Sequence, residues 1–363
     1  MPSDGPGRYD LAALLAPTAI ARLGAIGVAV AAVAVAFAWT AGWLSPERLT
    51  QARMIDAFEV DNGQHAGFRR NHAKGVCLSG WFEGNGAGVK LSKATVFKSG
   101  RVPVFGRFAL AGGLPMMPDG PNAVRSLALD FSLADGEVWR TGMNAIPVFP
   151  VKDPQAFYDQ LVAVKPVGTT GKPDPVRIKA FFDANPESAR AIAAIKASEF
   201  SSGFANAAYN SLNAFRFVDA AGVATAVRWS MVPIDAFAPE PSDTPPDKNY
   251  LFDALAARLK QGPAQWQLML TIGQPGDPTN NATQAWPAGR QTIDVGLLSI
   301  VALQSEATGN CRDVNFDPLV LPSGIAPSDD PLLSARSAAY SESFTRRVGE
   351  PKTPSAVQAG KGG

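Results

Sequence analysis

One histidine stands among fixed cations in residues 68–75, which read Phe-Arg-Arg-Asn-His-Ala-Lys-Gly. Arg69, Arg70 and Lys74 surround His72, and the only other histidine of the chain is His65. An imidazole exchanges protons near neutral pH, so His72 is a candidate general acid–base. The bland alternative is a solvated basic loop. Far along the chain, "RSAAYSESFTRR" places Arg336, Tyr340 and Arg347 at i, i+4 and i+11, one face of a helix. A guanidinium beside a phenol favours the phenolate, an anionic oxygen ligand suited to ferric iron. The alternative there is an ordinary charged helix surface.

These residues need elements to hold them. The segment "DDPLLSARSAAYSESFTRRVG" predicts a helix, with Ser328 or Asp329 as cap, an Ala/Ser/Leu-rich interior and Gly349 as its stop. His72 runs into "GVCLSGWFE", the first of eight candidate strands. The others are "VFGRFAL", "SLALDFSLA", "IPVFPV", "AFRFVDA", "VATAVRWSMV", "QWQLMLTIG" and "VGLLSIVAL", with a hairpin turn at Ala220-Ala221-Gly222. Helical patterns over Pro154–Val164 and Val176–Ser198 separate two blocks of four. Eight strands close a barrel whose interior takes side chains or one ligand. The expected fold is therefore α+β, an eight-stranded antiparallel β-barrel with inserted helices and a C-terminal helix. Residues 45–349 read as one unit.

Charge is nearly balanced, 33 Lys+Arg against 32 Asp+Glu, which excludes a protein that coats nucleic acid. Small molecules and a membrane are the better partners. Cys77 and Cys311 form no metal-binding pattern. They allow one disulfide if the domain is exported; otherwise Cys77 reads as a small core residue. Residues 1–44 form a separate segment, and Leu23–Leu44 has no charge and the length of a membrane span. It reads as an anchor, although "AVAFA" also offers a signal-peptidase site. Arg8 and Arg22 before it match Arg48 and Arg53 after it, so loop charge gives no orientation. Residues 350–363 lack bulky apolar side chains and read as a disordered tail.

"RRNHAKG" resembles the distal histidine motif of haem catalases, and "RSAAYSESFTRR" resembles their proximal tyrosine helix. Between them, "NAIPVFPVKDPQAF" resembles the family's distal asparagine segment, and "VNFDPLVLPSGIAPSDDPLLSAR" its approach to the proximal helix. The resemblance is collinear over about residues 60–349. It is strongest to small catalase-related peroxidases, which carry a membrane or signal segment in front and lack the C-terminal domains of large catalases.

The resemblance implies a b-type haem held by Tyr340 as iron ligand, with Arg336 stabilising its phenolate. It makes His72 the distal acid–base and Asn144 its partner in holding peroxide. Arg69, Arg107 and Arg347 align with propionate-binding arginines, and Phe157 with a ring lying over a pyrrole. The implied activity is reduction of hydrogen peroxide and organic peroxides by small organic donors. True catalase is the alternative within enzymes, and a membrane-tethered haem-binding barrel without turnover the alternative outside them. The implied location is periplasmic, anchored or released after signal cleavage; a homo-oligomer stays open. Two departures stand out: Ala109 where catalases commonly carry a serine, and Asn71 where large catalases carry an apolar residue. With no hydroxyl at 109, peroxidase activity is expected to outweigh dismutation.

Overall fold

The computed structural model describes residues 17–45, 48–168, 171–241, 243 and 247–358. Arg8 with the rest of residues 1–16, and residues 359–363 of the tail, lie outside them. The chain divides into two compact units, Met1–Thr50 and Gln51–Gly363.

In the first unit, helix α1 runs over Pro17–Thr40, six residues earlier at its start than the apolar stretch suggested. It ends where Gly42 takes a φ of +80°, so Trp43 lies beyond it. None of its residues is buried. Its 24 residues extend about 36 Å at ~1.5 Å each, enough to cross a membrane. A signal sequence has the same properties.

The second unit is a closed antiparallel barrel. Its strands are β1 (Gly75–Gly84), β2 (Gly100–Leu110), β3 (Arg125–Ser132), β4 (Val138–Asn144), β5 (Tyr209–Asn210), β6 (Phe215–Val218), β7 (Ala224–Pro233), β8 (Ala264–Ile272), β9 (Thr292–Gln304) and β10 (Ile325–Pro327). The ring runs β1-β2-β3-β4-β5-β7-β8-β9 and closes on β1, eight strands in all. Strand β6 pairs with β7 past the end of β5, and β10 adds to β6. One expected strand is corrected: "IPVFPV" is irregular, and the fourth strand is "VWRTGMN" just before it. Two prolines within six residues explain the error, because proline removes a ladder donor.

Alternation along each strand builds the core. Trp139 and Met143 of β4, Leu127 and Phe131 of β3, and Phe108 of β2 point inward with Trp229 and Trp266. The Trp139 indole stacks on Phe131 at 4.8 Å and meets Trp229 edge-on at 5.2 Å. Outside the barrel lie helices α2 (Gln51–Asn62), α3 (Pro154–Val164), α4 (Pro175–Ala184), α5 (Pro186–Ala197), α6 (Tyr250–Leu259) and α7 (Pro331–Val348). Helices α2 and α6 had no clear sequence pattern. The predicted 176–198 helix breaks into α4 and α5 at Asn185-Pro186, as proline requires.

Cys77 and Cys311 form a disulfide with Cα atoms 5.4 Å apart, so Cys77 is not merely a small core residue. Residues 350–358 correct the expectation of a disordered tail: Ser355 and Val357 are buried, Val357 within the main core. Glu350 pairs with buried Arg70 and accepts the Gly67 N–H at 2.7 Å.

Candidate functional site

Three neighbouring strands form the floor of a cavity on the outer face of the barrel. Their inward residues fill the core, so the intervening residues must face outward. Outward residues in register are Arg107 opposite Ala128, Ala109 opposite Ser126, Ser126 opposite Asn144, and Ala128 opposite Gly142. All of these residues line the cavity, together with Arg336 and Tyr340 from α7. Gly142 faces both Tyr340 Oη and Arg336 Nη2, each 3.5 Å from where a Cβ would stand.

His72 enters from the loop before β1 with a φ of +53°, in the left-handed region that branched or bulky residues avoid. The strain is about 1–2 kcal/mol. The Asn71 side chain offsets it: Oδ1 accepts the His72 N–H at 2.8 Å and the Gly112 N–H at 2.9 Å. Arg107 adds a bond from Nη1 to the His72 carbonyl at 2.9 Å. At about 1 kcal/mol per hydrogen bond, these three contacts more than offset the strain.

Ser126 joins the two distal residues. Its hydroxyl donates to Asn144 Oδ1 at 2.5 Å and lies 3.0 Å from His72 Nδ1. A hydroxyl has one hydrogen, so with that hydrogen on Asn144 the Nδ1–H of His72 is the donor to Ser126. Two consequences follow. His72 Nε2 is left unprotonated as the free basic atom, and the Asn144 amide NH2 is left free to donate. Burial, with Arg107, Arg336 and Arg69 nearby, lowers the His72 pKa to about 3. The ring is therefore neutral across the physiological range. The absence of a serine at 109 is thus made good from the adjacent strand, which corrects the expectation that no hydroxyl orients His72.

Arg69 and Arg107 converge on Glu306, at 3.2 Å and 2.9 Å. Arg69 also donates to the carbonyls of Cys311 and Val314, both at 2.9 Å, and Arg347 donates to the Val314 carbonyl at 3.2 Å. Burial pushes Arg69 down, and Arg107 and Arg347 add to it. Burial with Arg107 lowers Arg347 to about 10. Burial would raise Glu306, but Arg107 and Arg69 outweigh it and hold the carboxyl low. Three guanidiniums against one carboxylate leave a surplus of two positive charges. Arg107 Nη2 and Arg347 Nε are buried without a partner among the described residues.

Opposite His72, α7 carries Tyr340. Asp330 caps this helix by accepting the Leu332 N–H at 2.9 Å, one or two residues past the caps expected, with Pro331 at the first helical position. The same Asp330 accepts from Asn213 Nδ2 at 2.8 Å, and Asn213 Oδ1 accepts from Arg336 Nη1 at 2.5 Å. Arg336 Nη2 also reaches the Gly142 carbonyl at 3.2 Å. These bonds fix the guanidinium beside Tyr340, its carbon 5.9 Å from the ring centre.

The cavity is a cleft of about 820 Å³ including its mouth. It brings together His72, Asn144, Arg69, Arg336, Tyr340, Arg347 and Phe157; Arg107 lines its inner lobe. Phe157 on α3 packs between Phe149 and Phe58 of α2, at 5.8 Å from each. A flat dianionic macrocycle fits these walls. Apolar rings face it, the arginine surplus and two orphaned donors suit paired carboxylates, and a phenol stands opposite a neutral imidazole.

Residues 35–354 match the catalase family. The chain belongs to that family. It is similar to a catalase-related peroxidase of Synechococcus elongatus, 36% identical over 305 residues that cover 83% of this chain and 89% of that one. A catalase-related peroxidase of Mycolicibacterium paratuberculosis is 33% identical, with 83% and 96% covered. A solved bacterial catalase superposes with a TM-score of 0.68 at 21% identity, over 79% of this chain and 58% of its own length. The family implies haem. Ser126, Asn213, Asp330 and Glu306 were not singled out from sequence. Ser126 was recognisable only through its register with Asn144, which the misplaced fourth strand concealed.

Proposed function

We propose that this protein is a haem-dependent peroxidase that reduces hydrogen peroxide and organic hydroperoxides with small organic electron donors. The hydrogen-bonded chain His72–Ser126–Asn144, facing Tyr340 across one cavity, carries the reading. Tyr340 Oη would hold the iron of haem b, Arg336 would keep it anionic, and Arg69, Arg107 and Arg347 would hold the propionates. Phe157 would lie over the macrocycle. Haem, when bound, supplies an iron centre able to take up oxidising equivalents from a peroxide and pass them to a donor.

The chain's own residues handle the proton. His72 Nε2 removes the hydroperoxide O–H proton and returns it to the other oxygen, which leaves as water or alcohol. Such transfer is worth about 10²–10⁴ in rate. The free Asn144 NH2 donates to the oxygen where charge develops. A barrel that only stored haem would have no use for a neutral, tautomer-fixed imidazole, which argues against the non-catalytic reading.

Residues 17–40 would tether this domain outside the cytoplasm, or direct its export, and the Cys77–Cys311 disulfide suits an oxidising compartment. True catalase remains the second reading, because Ser126 restores a hydroxyl beside His72. Oxygen release and oxidation of a phenolic donor, measured on one preparation, separate the two. Donor oxidation should dominate; vigorous oxygen release with little donor oxidation would establish the catalase reading instead.

A further inference from the structure

Resting on the peroxidase reading, we propose that Asn71 is a second amide donor of the distal pocket, placed to hold the leaving oxygen of an organic hydroperoxide. Its amide orientation is not free. Oδ1 accepts two main-chain N–H groups, those of His72 and Gly112, and only the oxygen of an amide accepts. The NH2 must therefore occupy the opposite edge. That nitrogen makes no hydrogen bond to protein among the described residues, and Asn71 lines both lobes of the cavity. Asn144 is constrained in the same way, its oxygen taken by Ser126.

Two fixed amide donors thus accompany one unprotonated imidazole nitrogen. The pocket offers a base for the single O–H of a hydroperoxide and a donor for each of its oxygens. As the O–O bond breaks, Nε2 of His72 returns the proton to the alkoxy oxygen, which departs as alcohol. Until that proton arrives the alkoxy oxygen can only accept hydrogen bonds, and a second preset NH2 answers this need. An apolar side chain at 71 would leave that oxygen unpaired in a partly dry cavity, the costly arrangement for a polar group.

Asn71 also holds the His72 turn, so the test must separate cap from donor. Asn71→Asp keeps an oxygen for both main-chain N–H groups and removes the NH2. Asn71→Leu removes both functions at similar volume without adding charge. The first measurement is the C–O stretching frequency of the carbon monoxide complex of the reduced protein, which donors to the bound ligand lower. It should rise in both variants. The second is the rate of tert-butyl hydroperoxide cleavage, which should fall about tenfold in both, the effect of one hydrogen bond to developing charge. An unshifted frequency and unchanged rate in Asn71→Asp would reduce Asn71 to a cap and overturn the proposal. So would a shift in Asn71→Asp with none in Asn71→Leu, since charge alone would then explain it. If the purified unaltered protein shows no haem absorption band, the haem reading itself fails, and this proposal with it.

Discussion

Helix α7 brings Arg336, Tyr340 and Arg347 to the cavity within one continuous segment, whereas the distal side assembles His72 from a loop, Ser126 from β3 and Asn144 from β4. The proximal face is a matter of helical spacing, set every few residues by local hydrogen bonds. The distal face depends on strand register, and a slip of one residue would turn Ser126 and Asn144 into the barrel core. Backbone state differs as well. Tyr340 sits in a regular helix with an aspartate cap, while His72 is held at a φ of +53° by side chains from its neighbours. One face tolerates drift in the rest of the fold; the other requires the barrel to be closed and in register.

That contrast is open to test, beginning with the largest effect. Tyr340→Phe should abolish the ferric haem spectrum of the unaltered protein, because no other side chain on α7 offers an anionic oxygen toward the cavity. Retention of haem with an unchanged spectrum would remove Tyr340 as ligand. On the distal side, His72→Ala should keep haem yet slow peroxide cleavage by at least about 10²-fold. A wild-type rate in that variant would take His72 out of the proton transfer.

Register itself is probed by Ser126→Ala, which should slow cleavage about tenfold by leaving His72 Nδ1 unpaired and Asn144 unanchored. Ala109 is the cross-strand partner of Ser126, so adding Ala109→Ser to that variant should recover much of the lost rate. No recovery would mean that the hydroxyl must come from β3 in particular.

The smallest effect is one of pH. The folded His72 titrates at about 3, against ~6.5 in an unfolded chain. Between these values the unfolded chain binds a proton that the native state refuses, so stability should fall as pH drops from 6.5 toward 3. Denaturant melts at pH 6.5 and pH 4 should show a smaller acid loss in His72→Ala than in the unaltered protein. Equal losses would mean that His72 is not held neutral. By the same reasoning, the His72-dependent rate should stay flat from about pH 4 upward.

Helical periodicity and local motifs were sufficient for α7, α3 and the alternating strands β1, β2, β3 and β7. Phe157 on α3, Arg107 on β2, and Arg336, Tyr340 and Arg347 on α7 meet the cavity through those elements, whereas Arg69, His72 and Asn144 lie outside them and were legible only through the resemblance of their motifs. The "IPVFPV" error shows the limit, since an apolar run resembles a strand until its prolines are weighed against the ladder it would need. The short helices α2 and α6 carry patterns too weak to separate from loops, and α2 supplies Ile55 and Phe58 to the cavity wall.

What the sequence determined by itself is whatever depends on neighbours within a few residues: the Gly349 stop of α7, the spacing of Arg336, Tyr340 and Arg347, the apolar run of α1, and the basic loop around His72. The tertiary structure alone decided which distant groups share a hydrogen bond. The serine beside His72 comes from residue 126 and not 109, Glu306 rather than solvent pairs Arg69 and Arg107, Cys311 closes onto Cys77, and Val357 returns to the core. The side-chain pairs among these span 54, 237, 199 and 234 positions of chain, where no periodicity survives and only the closure of the barrel sets the partner.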